Sequence, residues 1–395
     1  MKIAFYHLMS LRNGGGCENN FIRMAAAMAE RDYGNEVYIA GASESFHEFI
    51  AFLLSIFYGT IFRRDKIKFS RLPESEISGR LGRSEWKPVN FFKLRKLLHD
   101  ADVIYAKNEI LDLFALKCLR IKKPVICGLH TNIYYPVARD FHEKLHNWLY
   151  SGVFYRFLIG SCCLFRVLNQ DDKEYLIKRH KVKPDRIAVI GNGVDIDKFV
   201  QIDYESDRFN VLFVGRLAPQ KGILDLADII LDINRLGYEN KISFTVVGEG
   251  ALKELFVARI GNVKNVELMD RVTYSDMNRV YRQVDICVVP SYWETFNSVI
   301  LEAQSCGVPV IAYDIPGPRE MIIDQETGFL IDKGKKPDMV QKILCLYNLK
   351  LSDRQVFNNI SQAARKNIVA KFSQKSVFSR LHQLFLQGGR KCADL

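Results

Sequence analysis

The first part of this 395-residue chain contains no apolar run long enough to cross a bilayer. The longest there, FIAFLLSIFYGTIF at residues 49–62, has 14 residues, against about 20 for a spanning helix. The opening MKIAFYHLMS lacks both a long apolar stretch and a small-residue cleavage site, so a first strand is expected there rather than a secretion signal. Nine cysteines form no CxxC pair and no zinc-ligand spacing, with Cys162 and Cys163 adjacent. That pattern excludes a disulfide framework and points to reduced, mostly buried thiols in the cytoplasm. Internal repeats, low-complexity tracts and heptads are also missing, which sets aside solenoids and coiled coils. The chain exceeds the size at which one hydrophobic core stops growing, so two domains are expected.

Charge is unevenly distributed. Residues 1–200 carry 31 Lys and Arg against 22 Asp and Glu, a net of +9; residues 201–395 carry 25 against 23, a net of +2. A basic first half suits an acidic acceptor, nucleic acid or anionic lipid headgroups, and a simply solvated basic face is the alternative. The apolar run at 49–62 is followed by Arg63, Arg64, Lys66 and Lys68, the order of an interfacial segment with a cationic edge. Burial within the first domain is the competing explanation.

Short Val- and Ile-rich runs alternate with helical patterns, as in parallel sheets covered on both faces. Strands are expected at residues 2–6, 36–40, 103–106, 124–128, 164–168 and 186–190, with helices at 19–31, 110–120 and 171–180. A polar interval follows Lys198, and the alternation restarts with strands at 211–215, 241–247, 263–269, 285–289 and 308–313. The reading is therefore an α/β chain of two Rossmann-like doubly wound domains, 1–200 and 201–371, facing across a cleft at their strand ends.

Several residues along this framework carry chemistry. VLFVGRLAPQKG at 211–222 delivers Gly215 from a strand, places Arg216 and Lys221 in a loop, and opens a helix at Gly222. A guanidinium fork, an ammonium and free helix N–H groups converging on one point are suited to a diphosphate. SYWETFNSVILEA at 291–303 puts Glu294 in a loop and Glu302 inside a helix, two carboxylates that can each accept from sugar hydroxyls. Gly248 and Gly250 flank Glu249 in a tight turn after a strand. Gly14, Gly15 and Gly16 follow the first strand, but Asn19 stands where the third glycine of a dinucleotide fingerprint belongs, which argues against a dehydrogenase. His130 follows the strand at 124–128 and is either a sugar contact or a packing residue. Asp195 and Asp197 form a DxD pair that is read as a turn cap rather than a metal site.

Taken together, GGGCE (14–18), GNGVDIDKF (191–199), GRLAPQKG (215–222), VVGEG (246–250) and ETFNSVILEAQSCGVPVIA (294–312) resemble glycosyltransferase family 4. The resemblance implies a GT-B fold, a retaining hexosyl transfer from a nucleotide diphosphate sugar (UDP- or GDP-linked), and neither metal nor cofactor. It implies that Arg216 and Lys221 bind the diphosphate, Glu302 the ribose, and Glu294 and His130 the transferred sugar. Gly15, Gly16, Gly215, Gly248 and Gly250 would approach the donor, with Phe296, Asn297, Ser298 and Val299 lining its site. The first domain would take a glycan or lipid-linked acceptor in cell-envelope polysaccharide or glycolipid synthesis, at the inner face of the cytoplasmic membrane, with no nucleic acid partner. A final helix in 372–395 would cross back onto the first domain. A nucleotide-sugar-binding protein without transferase activity is the alternative. Three positions depart from the family pattern: Gly191 for proline, Asn297 for glycine and Asp270 for glycine.

Overall fold

The computed structural model describes residues 2–6, 24, 36–40, 81–82, 95, 98–131, 133–135, 141–201, 206–274 and 276–391. Two compact units divide them: Met1–Ile190 with Phe378–Leu395, and Gly191–Val377.

The first unit is built on a sheet of β1 (Lys2–Tyr6), β2 (Glu36–Ala40), β3 (Leu81–Gly82), β4 (Val103–Lys107), β5 (Val125–Gly128), β6 (Leu164–Val167) and β7 (Ile187–Val189). All pairings are parallel and the order is β3-β2-β1-β4-β5-β6-β7. Every residue of β4, β5 and β6 is buried, the condition of a strand covered on both faces, and so their sequences read as mostly apolar runs rather than alternations, with Lys107 in β4 and Arg166 in β6 as buried charged exceptions. Helices α1 (Ile110–Cys118), α2 (Phe141–Ser151), α3 (Val153–Ile159) and α4 (Gln170–His180) belong to this unit. Asn169 starts α4 by accepting a hydrogen bond from the Asp172 amide at 2.7 Å.

In the second unit β8 (Phe209–Val214), β9 (Ile242–Val247), β10 (Val266–Met269), β11 (Ile286–Val289), β12 (Val310–Tyr313) and β13 (Gly328–Ile331) are all parallel, in the order β10-β9-β8-β11-β12-β13. The helices here are α5 (Ile223–Arg235), α6 (Lys253–Ile260), α7 (Met277–Tyr281), α8 (Ser298–Ser305), α9 (Pro316–Met321), α10 (Lys336–Ser352) and α11 (Arg354–Phe372). α5 buries Ile223, Leu226, Ala227, Ile230 and Ile233, a 3.6-residue stripe laid on the sheet. In each sheet the strand order reverses beside the first strand, between β1 and β4 and between β8 and β11. Such switch points leave a crevice outside the strand carboxyl ends, where ligands of open α/β sheets bind.

The strands expected at 2–6 and 36–40 match β1 and β2, and the others appear with ends shifted by up to a few residues. The helix expected at 19–31 lies outside the described residues, as do Gly14, Gly15, Gly16 and the apolar-basic segment 49–68, save Met24. The first unit ends at Ile190, ahead of the boundary expected at residue 200. Residues 191–199 are held by the second unit: the Val194 amide donates to the Phe372 carbonyl at 2.9 Å, and Phe199 is fully buried in that core. The final helix α12 (Gln374–Lys391) begins after Ser373, and from Phe378 onward it belongs with the first unit. Within that unit Phe385, fully buried, sets its ring edge-on to Phe5 (6.0 Å) and Tyr105 (5.7 Å).

Phe385→Ala should therefore destabilise the first unit by about 3–5 kcal/mol, the usual cost of emptying a buried phenylalanine site. Urea unfolding of the full chain should show an earlier transition, and an unshifted profile would contradict this packing.

Candidate functional site

Three loops converge at the carboxyl ends of β8, β9 and β11, on the switch point of the second sheet. The first leaves β8 through Gly215, whose amide donates to the Val247 carbonyl at 3.0 Å. Arg216 follows, exposed and with no ion pair among the described residues. A 3-10 turn at Pro219–Lys221 then leads into Gly222 at φ +67°, the residue that opens α5. A Cβ at Gly222 would lie 1.8 Å from the Pro290 carbonyl oxygen at the end of β11. Conformation and contact both require glycine there. With no side chain between them the two loops touch through backbone, and the Tyr292 amide donates to the Gln220 carbonyl at 2.8 Å.

That contact brings Lys221 to Glu294. Their side chains form a mostly buried ion pair, Nζ donating to Oε1, across 73 positions of sequence. The loop is fastened further by Asp225 in the first turn of α5, which accepts from the Tyr292 hydroxyl at 2.8 Å and the Tyr313 hydroxyl at 2.7 Å. Burial, reinforced by the Asp225 carboxylate, pushes the Tyr313 phenol up, so it remains a donor. No side chain caps α5. Its first N–H groups therefore keep the positive end of the helix dipole available beside Lys221 and Arg216.

On β9 the chain turns at Gly248, φ +143°, where a Cβ would stand 1.9 Å from the Gly215 carbonyl. The second loop thus closes directly on the first. Gly250 is exposed beyond it.

The third loop carries Glu294 into α8. Asn297 caps that helix, accepting from the Val299 amide at 3.0 Å, with Ser298 exposed and Val299 half-buried. Phe296 packs on Phe372 at 5.9 Å. Glu302, 8% exposed, accepts from the Tyr281 hydroxyl at 3.0 Å. Burial first, then the Glu302 carboxylate, raises the Tyr281 phenol well above its ordinary value, which keeps it the donor.

The three departures from the family pattern have structural counterparts. Asn297 supplies a side-chain cap that glycine lacks. Asp270 pairs with Lys253 at 2.5 Å. Gly191 leaves room for Phe296, whose ring a Cβ would meet at 2.7 Å. Asp195 caps a turn, accepting from the Asp197 and Lys198 amides at 3.1 Å each. Among the described residues no group of three or more His, Cys, Asp or Glu side chains could hold a metal ion.

His130 belongs to the first unit. It is buried, and its Nε2 lies 2.8 Å from the Tyr105 hydroxyl, which also receives Arg166 Nη1 at 3.2 Å. Arg166 is in turn fixed by donating Nε to the Ile190 carbonyl at 2.8 Å. Because the guanidinium can only donate, the phenol oxygen accepts from Arg166, and its own hydrogen remains available to His130 Nε2. A polar group missed in the sequence sits beside His130: Thr131 donates to Asn108 Oδ1 at 3.2 Å, and Tyr150 donates to Glu109 Oε2 at 2.9 Å. Its signal was available, since Lys107, Asn108 and Glu109 directly follow the apolar run of β4 at the first sheet's switch point. Asp225, Tyr281, Tyr292 and Tyr313 were missed as well, because their partners are distant in sequence.

Comparison with known proteins finds two family models in the same order as the units. One, described as Glycosyltransferase Family 4, matches residues 14–198, and the other, Glycosyl transferases group 1, matches residues 208–348. The capsular polysaccharide biosynthesis glycosyltransferase CapM of Staphylococcus aureus is 28% identical over 236 residues, 55% of this chain and 60% of that protein. The UDP-Gal:alpha-D-GlcNAc-diphosphoundecaprenol alpha-1,3-galactosyltransferase of Escherichia coli is 29% identical over 277 residues, 66% of this chain and 68% of that protein. The chain thus spans about three fifths to two thirds of the length of these two relatives. Among solved structures, Anabaena HepE in complex with UDP superposes with a TM-score of 0.69 at 20% identity, covering 98% of this chain and all of that one. Sucrose-phosphate synthase from Thermosynechococcus elongatus gives 0.71 at 18% identity, with 98% of each chain covered. Together the two models match 14–198 in the first part of the chain and 208–348 in the second, and the chain belongs to the family 4 type of glycosyltransferases, with the GT-B fold of two Rossmann-like domains.

Proposed function

We propose that the chain transfers a hexosyl group, with retention of anomeric configuration and without a metal ion, from a UDP-sugar to a lipid-linked or glycan acceptor used in cell-envelope polysaccharide or glycolipid synthesis. The observation that carries this reading is the Lys221–Glu294 pair beside the uncapped start of α5, with Arg216 exposed on the same loop. The choice of a UDP donor is supported by the name of the Escherichia coli relative and by the UDP bound to HepE. The lipid-linked acceptor is supported by the same relative's diphosphoundecaprenol substrate and by the +9 balance of residues 1–200. Action in the cytoplasm, at the membrane's inner face, is part of the same proposal.

In this reading the bond between the sugar's anomeric carbon and the leaving phosphate oxygen breaks while the acceptor hydroxyl attacks the same face. The acceptor proton passes to the departing phosphate. Negative charge grows on the diphosphate, and preorganised cations lower that barrier because they need no reorientation. Arg216, Lys221 and the α5 amides supply them. Glu294 holds Lys221 in place before donor arrives and offers its remaining acceptor sites to sugar hydroxyls. Glu302, steadied by Tyr281, takes the ribose, and His130 contacts the transferred sugar.

Purified full chain incubated with a panel of nucleotide sugars and acceptors should turn over a UDP-hexose, give a product of retained configuration by NMR, and keep its rate in EDTA. Arg216→Ala and Lys221→Ala should each lower kcat on the order of 10²–10³-fold, as loss of one electrostatic donor does. UDP binding without turnover of any donor would make the protein a silent binder, and wild-type rates in both variants would remove the diphosphate role. Tyr105→Phe keeps the ring packing but loses the hydroxyl's bonds to His130 and Arg166, of which the one that orients His130 is worth ~0.5–1.5 kcal/mol. Its kcat/KM should fall about 2- to 12-fold, and an unchanged value would show that the orientation of His130 does not matter.

A further inference from the structure

The first unit exposes an apolar face that its fold does not use. Helix α3 buries Tyr155, Leu158 and Ile159, yet its outer side carries Val153 (84% exposed), Phe154 (49%) and Phe157 (61%). Phe154 meets Phe114 of α1, 46% exposed, with ring centroids 6.2 Å apart. On α2, Trp148 is 70% exposed and Phe141 is 69% exposed. Isolated surface aromatics need no explanation, but Phe114 and Phe154 meet across α1 and α3, Phe157 lies on the same α3, and Trp148 and Phe141 are exposed on α2, which packs against α3; exposed apolar groups gathered on adjoining helices mark an interaction surface.

Cations are set among these rings. Lys117 Nζ lies 3.8 Å from the Phe157 ring centroid, and Arg156 is exposed between Phe154 and Phe157. Lys144 on α2 and Arg120 after α1 are also exposed, and Arg179 donates to the Ser151 carbonyl at 3.1 Å, next to the junction of α2 and α3. Burial first, and then Arg179 and Arg156, pushes His180 down to about 4, so this ring stays neutral beneath the junction and the positive charge there is that of the arginines. No acidic side chain of α1, α2 or α3 is fully exposed. Protruding aromatic and aliphatic side chains with Lys and Arg among them, and Glu143 half-buried as the one acidic side chain of α2, have the composition of a surface that lies in the headgroup layer. Among the described residues no helix is long and apolar enough to cross a membrane, so such contact would be lateral.

We infer that the face formed by α1, α2 and α3 docks on an anionic lipid bilayer, with Val153, Phe154, Phe157 and Trp148 entering the interface and Lys117 and Arg156 meeting the headgroups. This rests on the proposed action at the membrane's inner face and deepens it by naming the surface that makes the contact. The residues concerned lie apart in sequence from the basic segment 49–68.

Co-sedimentation of the full chain with vesicles tests it. Wild type should bind phosphatidylglycerol-containing vesicles, weaken as salt shortens the electrostatic range to about 3 Å at 1 M, and bind pure phosphatidylcholine poorly. The triple variant Trp148→Ser, Phe154→Ser, Phe157→Ser should lose about tenfold or more in vesicle affinity, with its circular dichroism and thermal transition unchanged. Arg156→Ala should lose roughly fivefold, the share of one surface cation. In Trp148→Phe the blue shift of tryptophan emission on vesicles should shrink. Vesicle affinity that survives the triple variant would overturn the proposal by placing the contact elsewhere. So would a triple variant that changes the oligomeric state in light scattering but not vesicle binding, since the face would then join two copies of the chain. Nucleotide-sugar hydrolysis in solution, measured in parallel, should be unaffected by these substitutions, so loss of docking and failure of the proposed chemistry read out separately.

Discussion

Everything proposed for the donor site depends on one steric constraint, the passage of Gly222 against the Pro290 carbonyl. With hydrogen as its only substituent, Gly222 lets the loop after β8 lie on the end of β11 and turn into α5 with positive φ. The consequences follow in order. Gln220 and Tyr292 join through backbone, Lys221 comes within reach of Glu294, and α5 begins with its amides uncapped at the switch point of the sheet. Gly248 repeats the device on the other side, closing the β9 turn on the Gly215 carbonyl. Charge placed by backbone contact is rigid, and rigidity is what makes a fixed positive potential useful to a developing anion.

The Lys221–Glu294 pair needs a balanced reading. A mostly buried ion pair is weak evidence of net stability, because desolvation offsets much of the Coulomb attraction. Removing one partner leaves the other charge unpaired, which is the costly outcome. The pair therefore makes better sense as a positioning device, one that costs little when the loop folds and holds both groups near where donor charge would sit. Asp225 contributes to the same end from below, taking both tyrosine hydroxyls and so pinning Tyr292 two residues before Glu294.

Much of the fold was legible because strands buried on both faces are apolar over most of their length: the runs at 103–106 and 285–289 announce β4 and β11. β3, with two residues, is too short to carry a pattern, and β13 starts at a glycine. The boundary near residue 200 followed polarity, whereas the chain changes allegiance at Gly191, where Val194 and Phe199 join the second core. In the site, glycines and cations in one short loop were visible at once. The tie between Lys221 and Glu294 was not, nor the tyrosines behind Asp225 and Glu302, because those contacts join residues distant in sequence that only the pairing of β8 with β11 and β11 with β12, and the packing of α7 on α8, bring together.

A crystal structure of the full chain with UDP addresses the central claim most directly. The account predicts the β-phosphate against the first amides of α5, within hydrogen-bond reach of Lys221 and Arg216, and the ribose hydroxyls on Glu302. Diphosphate density away from the loop between Gly215 and Gly222, with the Lys221–Glu294 pair undisturbed and remote from it, would contradict the account.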